Sequence, residues 1–308
     1  MTESLDAVGA PVPAPPPRLP AWIRTRPPLG ARYRELRSTL DRLSLGTVCR
    51  EARCPNLSEC WSSGTATIML LGTSCTRRCG FCAVTTHWPK GAVDADEPRR
   101  VASAIAASGL SYVVLTQVCR DDLADGGASL LAETVREIHV RAPLVRVEIL
   151  IGDLGGDRDA IATVLGARPQ VLAHNLETVR SLSPRVRDHR ASYGGSLAVL
   201  RAAKELGPPG LVTKSSLMLG LGETDDEVRA ALVDLRSAGV DLVTLGQYLR
   251  PSADHLAIAE FVPPAAFDRW GALAESLGFA GVASGPLVRS SYRADELFER
   301  AYLRPDPR

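Results

Sequence analysis

Much that would classify a protein at once is missing from this 308-residue chain. No apolar run approaches the roughly 18 residues that span a bilayer, and the N-terminus lacks the short apolar core of a secretory signal. A cytoplasmic protein with no membrane partner is expected. Neither sign of charge is in excess: 36 basic against 35 acidic side chains leave a formal charge of +1, which offers no footprint for nucleic acid. No internal repeat is apparent beyond an alternation of strand and helix. The seven cysteines are an odd number that divides into two triplets and one extra thiol, which argues against a disulfide framework and for ligation in a reducing compartment. With 45% hydrophobic and 23% charged residues the composition is that of an ordinary globular chain, long enough for one α/β barrel or two smaller domains.

What the chain does have is clustered sulfur. Cys75, Cys79 and Cys82 follow the spacing C-x3-C-x2-C. Three such thiols wrap three corners of a four-iron four-sulfur cube and leave one iron without a protein ligand. A structural zinc site wants four ligands and a catalytic one normally brings His or carboxylate; neither arrangement is visible. The spacing resembles that of the radical S-adenosylmethionine enzymes, and the resemblance implies that the open iron chelates the amino and carboxylate groups of the methionine moiety. Upstream, Cys49, Cys54 and Cys60 form a second triplet, C-x4-C-x5-C. Again three thiolates stand where a cube needs four, so a second cluster is expected, with its fourth ligand supplied from far away in sequence.

The order of the chain suggests four parts. Residues 1–20 are a proline-rich tail, expected to be disordered or extended. Residues 21–64 form an N-terminal extension with the second triplet, where Tyr33, Leu36, Leu40 and Leu43 predict a helix over 32–45. Its Arg24, Arg26, Arg32, Arg34 and Arg37 are either a solvated face or a surface for an acidic partner. Across 65–285, apolar runs predict strands at 68–71, 112–116, 145–151, 171–174, 211–219 and 240–245. Between them lie helical patterns, at 97–108 before Gly109, around Leu131, Val135 and Ile138, at 157–165, and around Leu197 and Leu200 before Gly207. The capping box Thr224-Asp225-Asp226-Glu227 starts another, and Phe267, Trp270 and Leu277 mark the last. Residues 286–308 are a C-terminal segment. Six strands alternating with helices call for a parallel α/β sheet with right-handed crossovers, whose sites gather at the carboxyl ends of the strands, where the first cysteine loop lies.

Several further blocks narrow the resemblance to one family. T-V-C-x3-x-C-P-N-x2-E-C-W, C-T-R-R-C-x-F-C, D-D-L-x-D-G-G, H-N-x-E-T, T-K-S-x-L-x-x-G-L-G-E-T and G-P-L-V-R-S-S-Y are similar to those of lipoyl synthases, and they run from about Trp22 to Tyr292. The resemblance implies a partial (β/α)6 TIM-like barrel of the radical S-adenosylmethionine type with an N-terminal cluster-binding extension. It implies that Cys75, Cys79 and Cys82 hold the cluster that binds S-adenosylmethionine, and that Cys49, Cys54 and Cys60 hold an auxiliary cluster completed by a serine of R-S-S-Y. By position that serine is Ser291, with Ser290 as the fallback. The activity implied is sulfur insertion at C6 and C8 of a protein-bound octanoyl-lysine. A 5'-deoxyadenosyl radical removes hydrogen from carbons that no side-chain base can deprotonate, and the auxiliary cluster is consumed as the sulfur source.

Cofactor contacts are read from the same resemblance. Ser216 to Glu223 fits G-x-I-x-G-x-x-E, a pattern that lines the adenine, with Ser at the first glycine, and marks Met218, Gly220 and Glu223. Asn175, Lys214, Glu148 and Arg250 fall at or near predicted strand ends, where each either contacts the ribose or methionine carboxylate or is a satisfied polar group of loop or core. His174 is expected as a hydrogen-bonded wall residue. Asp121, Asp122 and Asp125 form an acidic turn that either caps a helix or holds the cofactor amino group. The chain departs from the family at Cys119, commonly Asp and read here as a spare thiol, and at Thr73-Ser74, commonly Asp-Thr. The implied partners are octanoylated lipoyl carrier domains (acyltransferase subunits of 2-oxoacid dehydrogenases and the glycine cleavage H protein), reduced ferredoxin or flavodoxin, and cluster-delivery proteins. Two alternatives stay open: a two-cluster electron-transfer protein, and a related radical enzyme that inserts sulfur into another substrate.

Overall fold

The computed structural model describes residues 19–23, 30–42, 45–51, 54, 56–63 and 66–302. Most of the proline-rich tail, with Arg24, Arg26 and Leu43, lies outside the described residues. Three helices come first, α1 (Ala31–Arg42), α2 (Val48–Glu51) and α3 (Leu57–Ser63). Leu36 and Leu40 of α1 are buried as their spacing predicts, and Tyr33 lies 5.3 Å from the fully buried Trp61 of α3, ring centroid to centroid.

Strands covered on both faces read as continuous apolar runs, and Thr67–Leu70 (β1) is the first of these. A loop after it carries two short strands, β2 (Ser74–Cys75) and β3 (Thr85–Thr86), which pair with each other. The chain then alternates through α4 (Glu97–Ser108), β4 (Tyr112–Gln117), α5 (Ala128–Arg141), β5 (Arg146–Leu150), α6 (Arg158–Leu165), β6 (Val171–Ala173), α7 (Ser183–Val186) and α8 (Tyr193–Leu206). It continues through β7 (Val212–Leu219), α9 (Asp225–Ser237), β8 (Leu242–Gln247), α10 (Pro264–Ser276), β9 (Gly281–Gly285) and α11 (Ala294–Tyr302). The long strands lie in the order β1-β4-β5-β6-β7-β8-β9, every pair parallel. This is the chain order of an α/β barrel with helical crossovers. Among the described residues β1 and β9 do not pair, so the sheet is open along one seam.

The six strands expected from the sequence are all present, and the local signals act where they stand. Gly109 ends α4 in the left-handed conformation at φ +63°, and Thr224 and Glu227 form the reciprocal cap of α9. The seventh strand, β9, corrects the expected count. Its sequence Gly-Val-Ala-Ser-Gly has no apolar run, and its pairing with β8 supplies what its composition does not.

Helix α11 closes the barrel at its amino end. Phe298 and Ala294 pack on Tyr112, Val171 and Val212, the first residues of β4, β6 and β7, with the Phe298 and Tyr112 rings 6.0 Å apart. The carboxyl ends of the strands are left as the mouth. Just inside the plug, Lys214 of β7 and Glu148 of β5, each 1% exposed at the side chain, form an ion pair at 2.8 Å, and the Tyr112 hydroxyl donates to the same carboxylate at 2.7 Å. Removing one partner leaves the other charge buried alone, a loss of about 3–5 kcal/mol. Lys214→Met is therefore expected to lower stability by that amount in denaturant unfolding, and Glu148→Gln in the same chain to recover part of it; an unchanged midpoint for the single variant would contradict the pairing.

Candidate functional site

The first cysteine triplet sits directly after β1. Leu71 and Gly72, both at positive φ, turn the chain out of the sheet, and β2 and β3 bracket the loop that carries Cys75, Cys79 and Cys82, all half-buried. Two backbone amides point at this sulfur: Arg77 N–H donates to Cys75 Sγ and Asp188 N–H to Cys79 Sγ, each at 3.4 Å. The loop is pinned from both sides. Gly80 donates to Val186 O at 2.9 Å and accepts from Leu256 N–H at 3.0 Å, while a ring nitrogen of His255 lies 3.0 Å from Cys82 O. Burial pushes the Cys79 thiol up and the Cys82 thiol to about 12, whereas a hydrogen bond from Cys119 draws Cys75 down to about 6. The extra thiol of the sequence is thus a neighbour of Cys75, a member of the first triplet.

Under this loop lies a buried network of charge that the sequence reading missed. Arg77, 5% exposed at the side chain, makes forked hydrogen bonds to Asp121 (2.7 to 3.1 Å) and to Asp153 (2.6 and 2.7 Å). Arg190 pairs with Asp188 at 2.9 Å and Asp121 at 3.2 Å and donates to Thr76 O at 2.7 Å. Asp188 also accepts from Arg78 N–H at 2.8 Å. Burial alone would raise Asp121 and Asp188; their arginine partners more than reverse it and hold both below the usual carboxylate range. Loops following β1, β4, β5 and β6 therefore meet at one set of ion pairs. A cavity of about 220 Å³ opens beside it, lined by Arg77, Gln117, Cys119, Asp121, Asp153 and Gly155 among others.

Each member of the acidic turn is engaged. Asp125 accepts from Gly127 and Ser129 N–H at the start of α5, the capping alternative, and Asp122 binds Arg120 at 2.7 Å and Gly91 N–H at 2.7 Å. His174 is a wall residue, its ring nitrogens 3.0 Å from Ile151 O and 2.8 Å from Ser196 Oγ. Asn175 Nδ2 donates to Glu177 at 3.2 Å, while Asn175 Oδ1 is buried with no hydrogen-bond partner among the described residues. Glu177 bears electrostatically on Cys79 and Cys82, so this pair stands near the first triplet. An unpartnered buried oxygen there suits a polar ligand. Met218 packs with Phe81, Leu182, Leu221, Tyr248 and Leu256 beside the loop. Glu223 accepts from the Gly220 and Leu221 amides at 2.5 and 2.9 Å. Gly220, at φ +93°, must be glycine, because a Cβ would overlap the Gln247 amide and the Glu260 carbonyl. Lys214 is committed to Glu148, and Arg250 donates to His255 O at 2.9 Å and to Ala253 O, tying its own loop.

The second triplet lies at the open seam. Cys49, Cys54 and Cys60 line one cavity with Thr67, Arg289, Ser291 and Tyr292; Ser290 is not among its lining residues. Thr67 Oγ1 donates to Ser291 Oγ at 2.8 Å, joining β1 to the turn after β9. Asn56 donates to Leu287 O, and Glu59 accepts from Tyr292 and Arg293 at 3.0 Å. Burial raises Cys54, and takes Cys60 to about 12. Among the described residues no three His, Cys, Asp or Glu side chains converge on a point that would hold a single metal ion. Three thiols and a hydroxyl around one cavity are instead a donor set suited to the separate irons of a cluster. Asp153, Asp188, Arg190 and Thr67 carried no spacing signal, and Arg77 and Arg289 stand inside motifs, C-T-R-R-C-x-F-C and G-P-L-V-R-S-S-Y, without a role assigned to them there.

The comparisons agree on one family. The model for the radical S-adenosylmethionine superfamily matches residues 69–235, and that for the N-terminal domain of lipoyl synthase matches residues 14–54. The chain is 58% identical to the lipoyl synthase of Thermus thermophilus over 92% of its own length and 88% of the relative's. It is 56% identical to that of Pyrobaculum arsenaticum over 93% and 97%, and 54% identical to the mitochondrial lipoyl synthase of Aspergillus niger over 91% and 68%. Among solved structures it resembles the FeFe-hydrogenase maturase HydG of Carboxydothermus hydrogenoformans (TM-score 0.58, 15% identity, 77% of this chain and 56% of that one). It also resembles methylornithine synthase (TM-score 0.50, 16%, 85% and 87%); both likenesses concern the fold alone.

Two outcomes follow from the ion pairs beneath the loop. Arg77→Ala leaves Asp153 without its cation and Asp121 with Arg190 alone, so it is expected to cost about 3–5 kcal/mol in unfolding and to reduce the iron retained after anaerobic reconstitution; full iron content at wild-type stability would contradict the role given to the network. Asp122 is held at about 2 by Arg120, below its ordinary 3.8. Its contribution is complete above 3.8 and lost as pH falls through about 2, so the stability deficit of Asp122→Asn should shrink across that window and not on the alkaline side.

Proposed function

Because the chain belongs to the lipoyl synthase family of the radical S-adenosylmethionine superfamily, and so is an enzyme of lipoyl synthesis, we propose that the sulfur it inserts comes from a second cluster held by Cys49, Cys54, Cys60 and Ser291. The alternative of an electron-transfer protein falls with that membership. The single observation that carries the proposal is the seam cavity, where thiols from the N-terminal extension and a hydroxyl from the turn after β9 line one wall. Those residues are more than two hundred positions apart, and the contacts that cover the seam bring their sulfurs and hydroxyl to one cavity.

The reaction sets the division of labour. Cys75, Cys79 and Cys82 would hold a four-iron cluster, which with S-adenosylmethionine would supply the radical chemistry needed to take hydrogen from unactivated carbon at C6 and C8. The chain's own residues bind, orient and shield. Arg77, held by Asp121 and Asp153, fixes the path of the ligating loop, and the amides of Arg77 and Asp188 support two of its sulfurs. Asn175 offers its unpartnered Oδ1 to the cofactor, with Glu177 beside it. Met218, Gly220 and Glu223 shape the wall facing the adenine: Glu223 straps the turn and Gly220 lets the 259–260 backbone lie against β7. Lys214 and Arg250 act through structure, the first inside the barrel and the second in its loop. At the seam, Ser291 would hold iron through an oxygen, a harder and weaker donor toward iron than thiolate, and so would grip it less tightly than the three cysteines. This suits a cluster that is a substrate and is consumed.

In domain terms, residues 21–64 and 286–308 together build the sulfur-donor site against the barrel of 65–285. The family acts on lipoyl carrier proteins and needs a reductant. For this chain the carriers are octanoylated acyltransferase subunits of 2-oxoacid dehydrogenases and the glycine cleavage H protein, and the electron donor is reduced ferredoxin or flavodoxin. Cluster-delivery proteins restore the spent site. No described helix is long and apolar enough to cross a membrane, and the reaction is assigned to the cytoplasm.

With reconstituted enzyme, dithionite and an octanoyl-lysine peptide under anaerobic conditions, Cys54→Ala should still cleave S-adenosylmethionine to 5'-deoxyadenosine while forming no lipoyl product by mass spectrometry. Cys79→Ala should abolish the cleavage itself. Lipoyl peptide from Cys54→Ala would overturn the sulfur-donor assignment, and continued 5'-deoxyadenosine from Cys79→Ala would overturn the cofactor-cluster assignment.

A further inference from the structure

Arg289 is a cation in the wrong place for an ordinary surface residue. It is half-buried in the wall of the seam cavity, beside the three thiols and Ser291. Its guanidinium has five N–H donors, yet its one direct hydrogen bond among the described residues is Nη1–H to the carbonyl of its own neighbour Val288, at 2.7 Å. No carboxylate pairs with it there, in contrast to Arg77, Arg120, Arg190 and Arg293, each of which has an aspartate or glutamate within 3.2 Å. Its position is built: a Cβ at Gly246 of β8 would overlap the Val288 carbonyl and lie 3.4 Å from Arg289 Nη1, so the turn settles onto the strand only because that residue is glycine.

A cation desolvated without an anion costs several kcal/mol, so such a site is stable in company with negative charge. An oxidised four-iron cube held by three thiolates and one alkoxide carries a net charge of about −2. We propose that Arg289 is the counter-charge of the second cluster, a positioning residue that favours the cluster's taking up an electron. This rests on the reading that Cys49, Cys54, Cys60 and Ser291 hold that cluster. The consequence bears on sulfur insertion. When a carbon-centred radical bonds to a sulfide, the new bond takes one electron from the radical and one from the sulfide; the sulfide's remaining electron passes to iron, one ferric ion becoming ferrous. A fixed positive charge at the cavity wall stabilises that reduced state and raises the cluster's reduction potential. The same short turn thus supplies both an oxygen ligand, Ser291, and the charge, two residues earlier.

The test isolates the seam site. In the full chain with Cys75, Cys79 and Cys82 all changed to alanine, anaerobic reconstitution should leave one cube of iron and sulfide; finding none would sink the second-cluster reading and this inference together. In that background, redox titration followed by electron paramagnetic resonance should give a more negative midpoint for Arg289→Gln or Arg289→Met than for the parent, with Arg289→Lys close to the parent. Loss of the cluster in both neutral variants but not in Arg289→Lys would support the charge as well. Neutral variants that titrate with the parent would overturn the inference and leave the cluster assignment standing, as would cluster loss in Arg289→Lys while circular dichroism shows the chain folded.

Discussion

Arg77 is buried with its donors divided between two carboxylates that arrive from different strand ends, Asp121 after β4 and Asp153 after β5. Desolvating one guanidinium and two carboxylates is expensive, and such a set is tolerated only when nearly every donor and lone pair is matched. Arg190 adds the second cation that keeps Asp121 and Asp188 compensated, and its bond to Thr76 O ties the network back to the cysteine loop. The loop therefore has one available path, because any other would strand a charge. What the strands do with their hydrogen bonds below the mouth, these ion pairs do above it. They convert four separate loops into a rigid seat for Cys75, Cys79 and Cys82.

The open seam is the complementary constraint. Six helical crossovers carry the chain round seven strands, and among the described residues β9 does not come back to pair with β1, whose outer edge is met instead by Gly46 and Thr47. An exposed strand edge is a liability. Here it is covered by the two ends of the chain, through Thr67 with Ser291, Asn56 with Leu287, and Glu59 with Tyr292 and Arg293. Covering the seam and building the second site are one act of packing. The Ser291 hydroxyl is brought beside three thiols at one cavity, and the Arg289 guanidinium comes to lie over Gly246.

The two cysteine sites differ in how they are held, and the difference fits their proposed tasks. The first is surrounded by fixed charge and main-chain donors, a setting in which ligands keep their positions through many turnovers. The second is a junction between segments, sets a hydroxyl among its sulfurs, and stands next to a cation with no carboxylate partner among the described residues. A site of that kind favours a group that is loaded, reacts and leaves.

Read along the chain, local signals were enough for the strands with apolar runs, for helix ends marked by Gly109 and Thr224, and for both cysteine triplets, because spacing, periodicity and capping act over a few residues. The blocks they belong to were also enough for the family. They were silent on β9, whose five small residues become a strand only by pairing with β8, and on α11, whose Ala294 and Phe298 find their purpose only under Tyr112. They did not separate Lys214, whose ammonium is buried against Glu148, from Asn175, whose carbonyl oxygen is left without a partner, since both are polar residues near strand ends. Nor did they join Arg77 to Asp153 or Thr67 to Ser291, pairs 76 and 224 residues apart. The sequence by itself determined which atoms are available to bind iron and roughly where each element begins. Only the tertiary structure decided which charges are compensated and which are left facing a cavity, because compensation is a matter of distance in space between residues that no local spacing relates.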